Sequence, residues 1–341
     1  MGVLLAGRLL FAAALVADSY ELRRPAEPAS LGGVTWTSND TYLAVTDWSH
    51  ALWEMKLPLD PASGKPLSCE LRRLCVLEKR EDVEDVALDP LAPSSVWVAD
   101  EYKTLLCRHD IATGKELERL AMPGALAKTR TDMGLESVAI SRDGRELWTT
   151  SEEAVEADGP ISSGSRGTDV RLTRFRREAK GGWTPAGQWI YRTDPIAGLS
   201  WKGKSNVDSA RSGVSGLCVL DDGTLLVLER EFSVVFLPRF RCRVYEADLS
   251  GATDVLAMPS VRDAEVKRAG KRLLDETCGF SMYEGICQGR TLADGSRTVV
   301  LVSDGDDLPL ETVRVLRLEP VFRESGSGAG GGGRVSVRRF F

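Results

Sequence analysis

The chain has 341 residues, with 44 Lys and Arg against 50 Asp and Glu, a net charge of −6, 43% hydrophobic and 28% charged residues. That balance belongs to a folded protein and excludes disorder for most of the chain. The acidic excess argues against nucleic acid as the main partner, the two histidines exclude a multi-histidine metal site, and the absence of an 18-residue apolar run excludes stable membrane insertion.

Residues 1–17 read as a signal peptide. Arg8 supplies a positive charge, Leu9 to Val16 form an apolar run, and Ala17 precedes the expected cut. The alternative is a first apolar strand or helix. A cleaved leader implies a secreted or periplasmic protein and a single domain over residues 18–341.

A strand–turn–strand unit then recurs. The opening copy is Gly32 to Trp36 followed by Tyr42 to Asp47. The second runs Asp82 to Leu88, turns at Asp89-Pro90, and continues Val96 to Glu101. The third and clearest runs Gly134 to Ile140, turns at Asp143-Gly144, and continues Glu146 to Glu153. The fourth runs Gly213 to Leu220, turns at Asp221 to Gly223, and continues Leu225 to Arg230. The last runs Tyr283 to Ile286, turns at Asp294-Gly295, and continues Val299 to Asp304. Alternation on both sides of Asp-Gly turns is a hairpin signal. Third strands are predicted at Leu105–Asp110, Arg171–Phe175, Arg243–Asp248 and Val313–Leu318, and a further one at Gln188–Tyr191. Ala264 to Leu274 reads as a short helix. A glycine-rich flexible loop at 325–333 precedes Arg334 to Phe341, which alternate like a strand and suggest a hairpin with Val313–Leu318.

Taken at Thr35, Glu84, Glu136, Ser215 and Glu284, the units are 49, 52, 79 and 69 residues apart. A four-stranded propeller blade takes about 40–50 residues. The expectation is an all-β propeller, six blades with five to seven open, in place of two β-sandwiches. The longer intervals hold either insertions or a further blade.

The seven cysteines contain no Cys-x-x-Cys pair, which argues against a zinc ribbon. Cys69/Cys75 and Cys278/Cys287 are near enough in sequence for local disulfides in an oxidising compartment. The alternative is a set of small buried apolar residues.

At these motifs the chain resembles the esterase-like phytase family, or phytase-like domain proteins, from about Tyr20 to Leu318. The pieces occur in the family's order: Gly32-Gly33-Val34 with Val45-Thr46-Asp47, Asp82 to Ala87, Trp97 to Glu101, Gly134 to Ala139, Leu226 to Arg230, Glu284-Gly285-Ile286, and Leu301 to Asp304. The chain departs from the pattern at Asp85 and Ser137, where the family usually has glycine, and at Gly305, where Asn is frequent. The resemblance implies a β-propeller that hydrolyses a phosphate ester or a carboxylic ester.

Acidic residues stand at equivalent strand ends, and equivalent positions of a propeller converge on its channel. Glu84, Glu136 and Glu284 are expected in one ring, with Asp47, Asp100, Glu101, Glu152, Glu153, Glu229 and Asp304 in a second. Converging carboxylates repel, and hard oxygen ligands in irregular array select Ca2+. The expected chemistry is metal-activated water. Glu84, Glu136, Glu229 and Glu284 are the candidate catalytic residues, as ligands or general base. Asp47, Asp100, Glu101, Glu152 and Asp304 are the candidate metal ligands. Arg230 and Arg211 are the candidate binders of an anionic substrate group, with Arg166 a weaker one. A serine nucleophile is disfavoured: Gly213 to Leu217 lacks the last glycine of the elbow, and His50 and His109 lie by outer strands. Trp97 and Trp148 read as packing between blades. The competing functions are a non-catalytic propeller binding a sugar or anion, and a gluconolactonase-type lactonase.

Overall fold

The computed structural model describes residues 19–25, 30–47, 49–80, 82–198, 210–234, 238–304 and 311–319. The signal-peptide reading of residues 1–17, the glycine-rich loop and the C-terminal strand lie outside them.

Among the described residues, twenty strands form five antiparallel four-stranded sheets. After the short β1 (Ser19–Arg23), blade one holds β2 (Leu31–Ser38), β3 (Thr41–Thr46), β4 (Ala51–Lys56) and β5 (Glu70–Val76). Blade two holds β6 (Val83–Leu88), β7 (Ser95–Asp100), β8 (Leu105–Asp110) and β9 (Glu116–Ala121). Blade three holds β10 (Leu135–Ile140), β11 (Glu146–Ser151), β12 (Asp169–Arg177) and β13 (Trp183–Arg192). Blade four holds β14 (Ala210–Val219), β15 (Leu225–Val234), β16 (Pro238–Asp248) and β17 (Gly270–Gly279). Blade five holds β18 (Met282–Thr291), β19 (Arg297–Asp304) and β20 (Thr312–Leu318), and β1 is its fourth strand, paired from Ser19↔Leu316 to Arg23↔Thr312. The first and last described strands thus share one sheet, which fastens the ring.

The inner strands β2, β6, β10, β14 and β18 each pack against the next around the ring. Second strands are buried on both faces, so they read as unbroken apolar runs such as Val96-Trp97-Val98-Ala99 and Val299 to Val302. Among the described residues the core has one cluster at each of the five interfaces between blades, and a sixth, of Ile190, Val255 and Val261, outside them. Val45, Leu52, Val86 and Val98 fill the first, and Trp97, Leu135 and Phe175 the second. Trp97 meets Trp183 edge-on at 6.2 Å, and Trp148 lies 5.7 Å from Trp189.

Among the described residues five blades stand where six were expected, at the lower end of the range left open. The 79-residue interval is blade three with long connections after β11 and β13, and Gln188–Tyr191 belongs to β13. The 69-residue interval holds an excursion over residues 249–269. It crosses to blade three, where the Val255 and Ala269 N–H groups donate to Gln188 O and Ile190 O, both at 2.8 Å. No helix forms over Ala264–Leu274, because Lys271 to Leu274 lie in β17 along the open edge of β16. The one helix among the described residues is a 3₁₀ turn at Gly124–Ala127. Both edges of β20 are taken, by β19 and β1.

The local disulfides are not formed, and all seven cysteines are thiols. Cys69 and Cys75 flank and occupy the extended β5, where six residues span about 20 Å, beyond a disulfide's reach of roughly 7 Å. Cys278 lies on the outer strand of blade four and Cys287 on the inner strand of blade five.

Candidate functional site, an acidic cup at one end of the channel

Every inner strand carries a register shift against its second strand. The extra residues are Gly32, Glu84, Glu136, Ser215 and Glu284. A bulge leaves one residue out of the ladder and re-aims its side chain. Three of the five are glutamates, and the bulges bring their carboxylates together at the channel mouth. Gly32 makes room for another: a Cβ there would lie 2.5 Å from Asp47 Oδ1.

The cup has three overlapping carboxylate triads: Asp47, Glu84 and Glu284; Asp82, Glu84 and Glu101; and Glu101, Glu136 and Glu152. Within each triad, one oxygen per residue lies within 4.8 Å of the others. Glu84 and Glu101 are shared, so the triads form a continuous arc. Two guanidinium groups enter it. Arg230 Nη2 is 2.7 Å from Glu152 Oε1, and Arg230 Nη1 is 2.8 Å from Glu284 Oε1. Arg211 pairs with Glu152 and donates to Asp132 O at 3.0 Å.

Among the described residues, the arc has more carboxylates than these two cations neutralise, and its titration follows. Burial pushes the Glu284 carboxyl up to about 8, with Asp304 and Glu152 adding to the shift and Arg230 opposing it. Burial and the nearby Glu152 push Glu101 up to about 7, against the hydrogen bond from Gly134 N. Glu136 is raised by burial and by Glu152 and Glu101. Glu84 keeps partial exposure to water. Its carboxyl is raised by burial, then by Asp47, Glu136, Glu101 and Glu284. Burial works against the charge of Arg230, yet Glu284, Glu152, Glu136 and Glu84 outweigh it and hold the guanidinium's proton more tightly than usual.

Of the candidates, the fold brings together Glu84, Glu136, Glu284, Asp47, Glu101, Glu152, Arg230 and Arg211. Asp304 sits opposite Met282 in register, near enough to Glu284 to raise its carboxyl. Two candidates fall elsewhere. Glu229 faces the interface of blades three and four, where it accepts from Tyr191 OH at 2.6 Å and Asp194 N at 2.9 Å and pairs with Lys271 Nζ at 2.7 Å. Asp100 is fully buried beside Arg80 at 3.1 Å and accepts from Lys103 N at 2.9 Å. Both belong to second strands, whose alternate residues face neighbouring blades. Arg166 pairs with Asp169 at 3.0 Å. Glu153 accepts from Ser162 N at 3.0 Å and Ser162 Oγ at 2.8 Å, and Ser162 Oγ in turn accepts from Ser212 N at 3.1 Å. That relay ties the loop after Glu152 to the strand carrying Arg211.

Two residues in or below the cup were not among the sequence candidates. Asp82 stands two positions before Glu84, a spacing that keeps a strand-start residue on the same side, and that was the available signal. Asp85 occupies the channel just below the bulges. Its Oδ1 accepts from Val86 N at 2.7 Å and its Oδ2 from Val138 N at 3.0 Å, and Val34 N also donates to it. One carboxylate therefore ties together the inner strands of blades one, two and three. The space is that of Gly33, whose added Cβ would fall 2.4 Å from Asp85 Oδ1.

A five-bladed ring with a cup of surplus carboxylates at one end of its channel defines a class of propeller. The family described as Phytase-like, esterase-like activity of phytase, matches residues 29–307, and the chain belongs to that family. No curated protein matches it. Among solved structures it is similar to a luciferin-regenerating enzyme at 12% identity, covering 88% of this chain and 95% of that one, with a TM-score of 0.41. It is also similar to the β-propeller domain of Myceliophteria thermophila Cps50 (Swd1), at 10% identity, 85% and 84% coverage and a TM-score of 0.34. A third is the periplasmic gluconolactonase of Pseudomonas aeruginosa, at 12% identity, 73% and 88% coverage and a TM-score of 0.31.

Proposed function

We propose that this protein hydrolyses phosphate esters or carboxylic esters at the acidic cup. The observation that carries the reading is the arc of carboxylates converging on one mouth, with Arg230 buried among them. The donor set fits a hard divalent cation. Oxygens within 4.8 Å of one another suit ligand distances of about 2.3–2.6 Å, the calcium range. The triads Asp47–Glu84–Glu284, Asp82–Glu84–Glu101 and Glu101–Glu136–Glu152 would hold it. A bound Ca2+ would supply polarisation of the ester oxygen and of water.

The chain's own groups divide the remaining work. Without the cation, Glu284 and Glu101, pushed up to about 8 and about 7, keep protons near neutral pH, and whichever of them a bound cation leaves unligated delivers its proton to a leaving oxygen. Glu84 and Glu136, whose carboxyls are raised as well, would take the proton from the attacking water only once a bound cation favours their ionised form. Arg230 and Arg211 face the anionic part of the substrate from the blade-four side. A secreted or periplasmic destination, resting on residues 1–17, belongs to the same proposal.

The test is a thermal melt in EDTA and with Ca2+ restored, followed by assays on phytate, p-nitrophenyl phosphate, p-nitrophenyl acetate and gluconolactone. Calcium should raise the melting temperature, and one ester class should turn over, with Glu84→Gln and Glu284→Gln inactive. Faster opening of the lactone than of either ester would give the lactonase. Arg230 and Arg211 already pair with Glu152, and this favours a metal-free binding propeller if neither a calcium shift nor turnover is seen.

A further inference from the structure

The channel has a second chamber. Beyond Asp85, at the end away from the cup, the inner strands enclose a cavity of about 360 Å³. Val34, Val86, Val138, Leu217 and Ile286, one from each inner strand, give it an apolar wall. The carboxylate of Asp85, held by N–H groups of three blades, lies across the channel between chamber and cup.

Two groups at the chamber's rim are left with unused donors. Gln288 Oε1 accepts from Asp221 N at 2.8 Å, but its Nε2 is buried and has no partner. Arg142 extends from the turn after β10 in blade three to blade one, where its guanidinium lies 4.9 Å from the ring centroid of Trp36. Among the described residues it forms no ion pair and no hydrogen bond. The acid nearest Gln288 in the lining, Asp221, is already paired with Arg297 Nε at 2.9 Å. The rim therefore offers donors and one uncompensated positive charge, above a deep apolar wall and beside an aromatic ring. A buried amide without a partner is costly, and an acceptor from a ligand would remove that cost.

We infer that the lower chamber binds a small aryl carboxylate, with its ring against the apolar wall and Trp36, and its carboxylate on Gln288 Nε2 and Arg142. This site is separate from the cup. It uses none of the cup's residues.

The experiment is calorimetric titration of the full chain in EDTA with 2-naphthoate and with its neutral counterpart 2-naphthylmethanol. The expected result is saturable one-to-one binding, with the carboxylate preferred roughly tenfold, the value of one charge-assisted contact. Arg142→Ala and Gln288→Leu should each weaken naphthoate about tenfold and leave naphthylmethanol unchanged. Glu84→Gln should change neither. Arg142 is exposed, so Arg142→Ala should melt with the parent protein and report on binding alone. Absence of saturable binding, an affinity equal to the parent's in both rim variants, or loss of naphthoate only in Glu84→Gln would overturn the inference.

Discussion

Glu284 and Glu229 are both buried strand glutamates, with 6% and 0% of their surfaces exposed, but their surroundings differ. Glu229 shares Lys271 with Asp194, at 2.7 Å and 2.6 Å, and accepts from Tyr191 OH. Lys271 also lies 4.3 Å from the ring centroid of Tyr245, whose hydroxyl donates to Asp194. Each charge there has a local partner. Glu284 shares Arg230 with Glu152, but Asp304 and Glu152 push against it as well. The first arrangement is a closed node that fastens two blades. The second keeps a charge surplus that folding alone does not require, and such a surplus marks a site for chemistry.

The sharpest way to break the contrast is Arg230→Met. It strips Glu152 and Glu284 of a shared buried cation, and should cost about 3–5 kcal/mol of stability in EDTA. Urea denaturation measures it, and added Ca2+ should restore part of the loss. A loss below 1 kcal/mol would show that Arg230 is not what holds the arc together.

Next comes a paired substitution. Glu284→Gln should lower ester hydrolysis by roughly 100-fold or more. Its EDTA melting temperature should stay near the parent's, because a carboxyl pushed up to about 8 is already largely neutral at pH 7. Glu229→Gln should do the reverse, costing about 2 kcal/mol through the weakened bond to Lys271, with kcat kept within a few-fold. Loss of activity in both variants would merge the two regions functionally.

A third measurement follows the melting temperature from pH 5 to 8. Glu284 and Glu101 have folded pKa values of about 8 and about 7, above the ordinary carboxyl value of 4.5. The folded state binds more protons than the unfolded one across that window, so in EDTA stability should fall as pH rises. With Ca2+ the slope should flatten or reverse, because cation binding needs the ionised carboxylates and expels their protons. Identical slopes in EDTA and calcium would remove the cation from the cup. The smallest effect is Tyr191→Phe, which deletes the 2.6 Å bond to Glu229. It should cost about 1 kcal/mol, read as a shift of the urea midpoint, with hydrolysis unchanged.

The repeated units were legible because a second strand buried on both faces must be an apolar run. Val96 to Ala99 and Val299 to Val302 stand out for that reason, as do the Asp-Gly turns beside them. The acids of the cup were legible as equivalent positions in those units. Glu229 and Asp100 show where this reading stops. Each ends an equivalent apolar run, but on a second strand one residue decides whether a side chain faces the axis or a neighbouring blade.

The sequence by itself determined the β-architecture and the carboxylates at the strand ends, because side-chain period and turn chemistry are local properties. Tertiary structure decided the blade count, since the excursion at 249–269 joins blade three instead of making a sheet of its own. It also decided which acids meet. The bulges at Glu84, Glu136 and Glu284 turn three glutamates toward one mouth, and Asp85 takes the space over Gly33 that separates the cup from the chamber below. Those outcomes depend on register and on contacts between residues far apart in the chain, which no local pattern encodes.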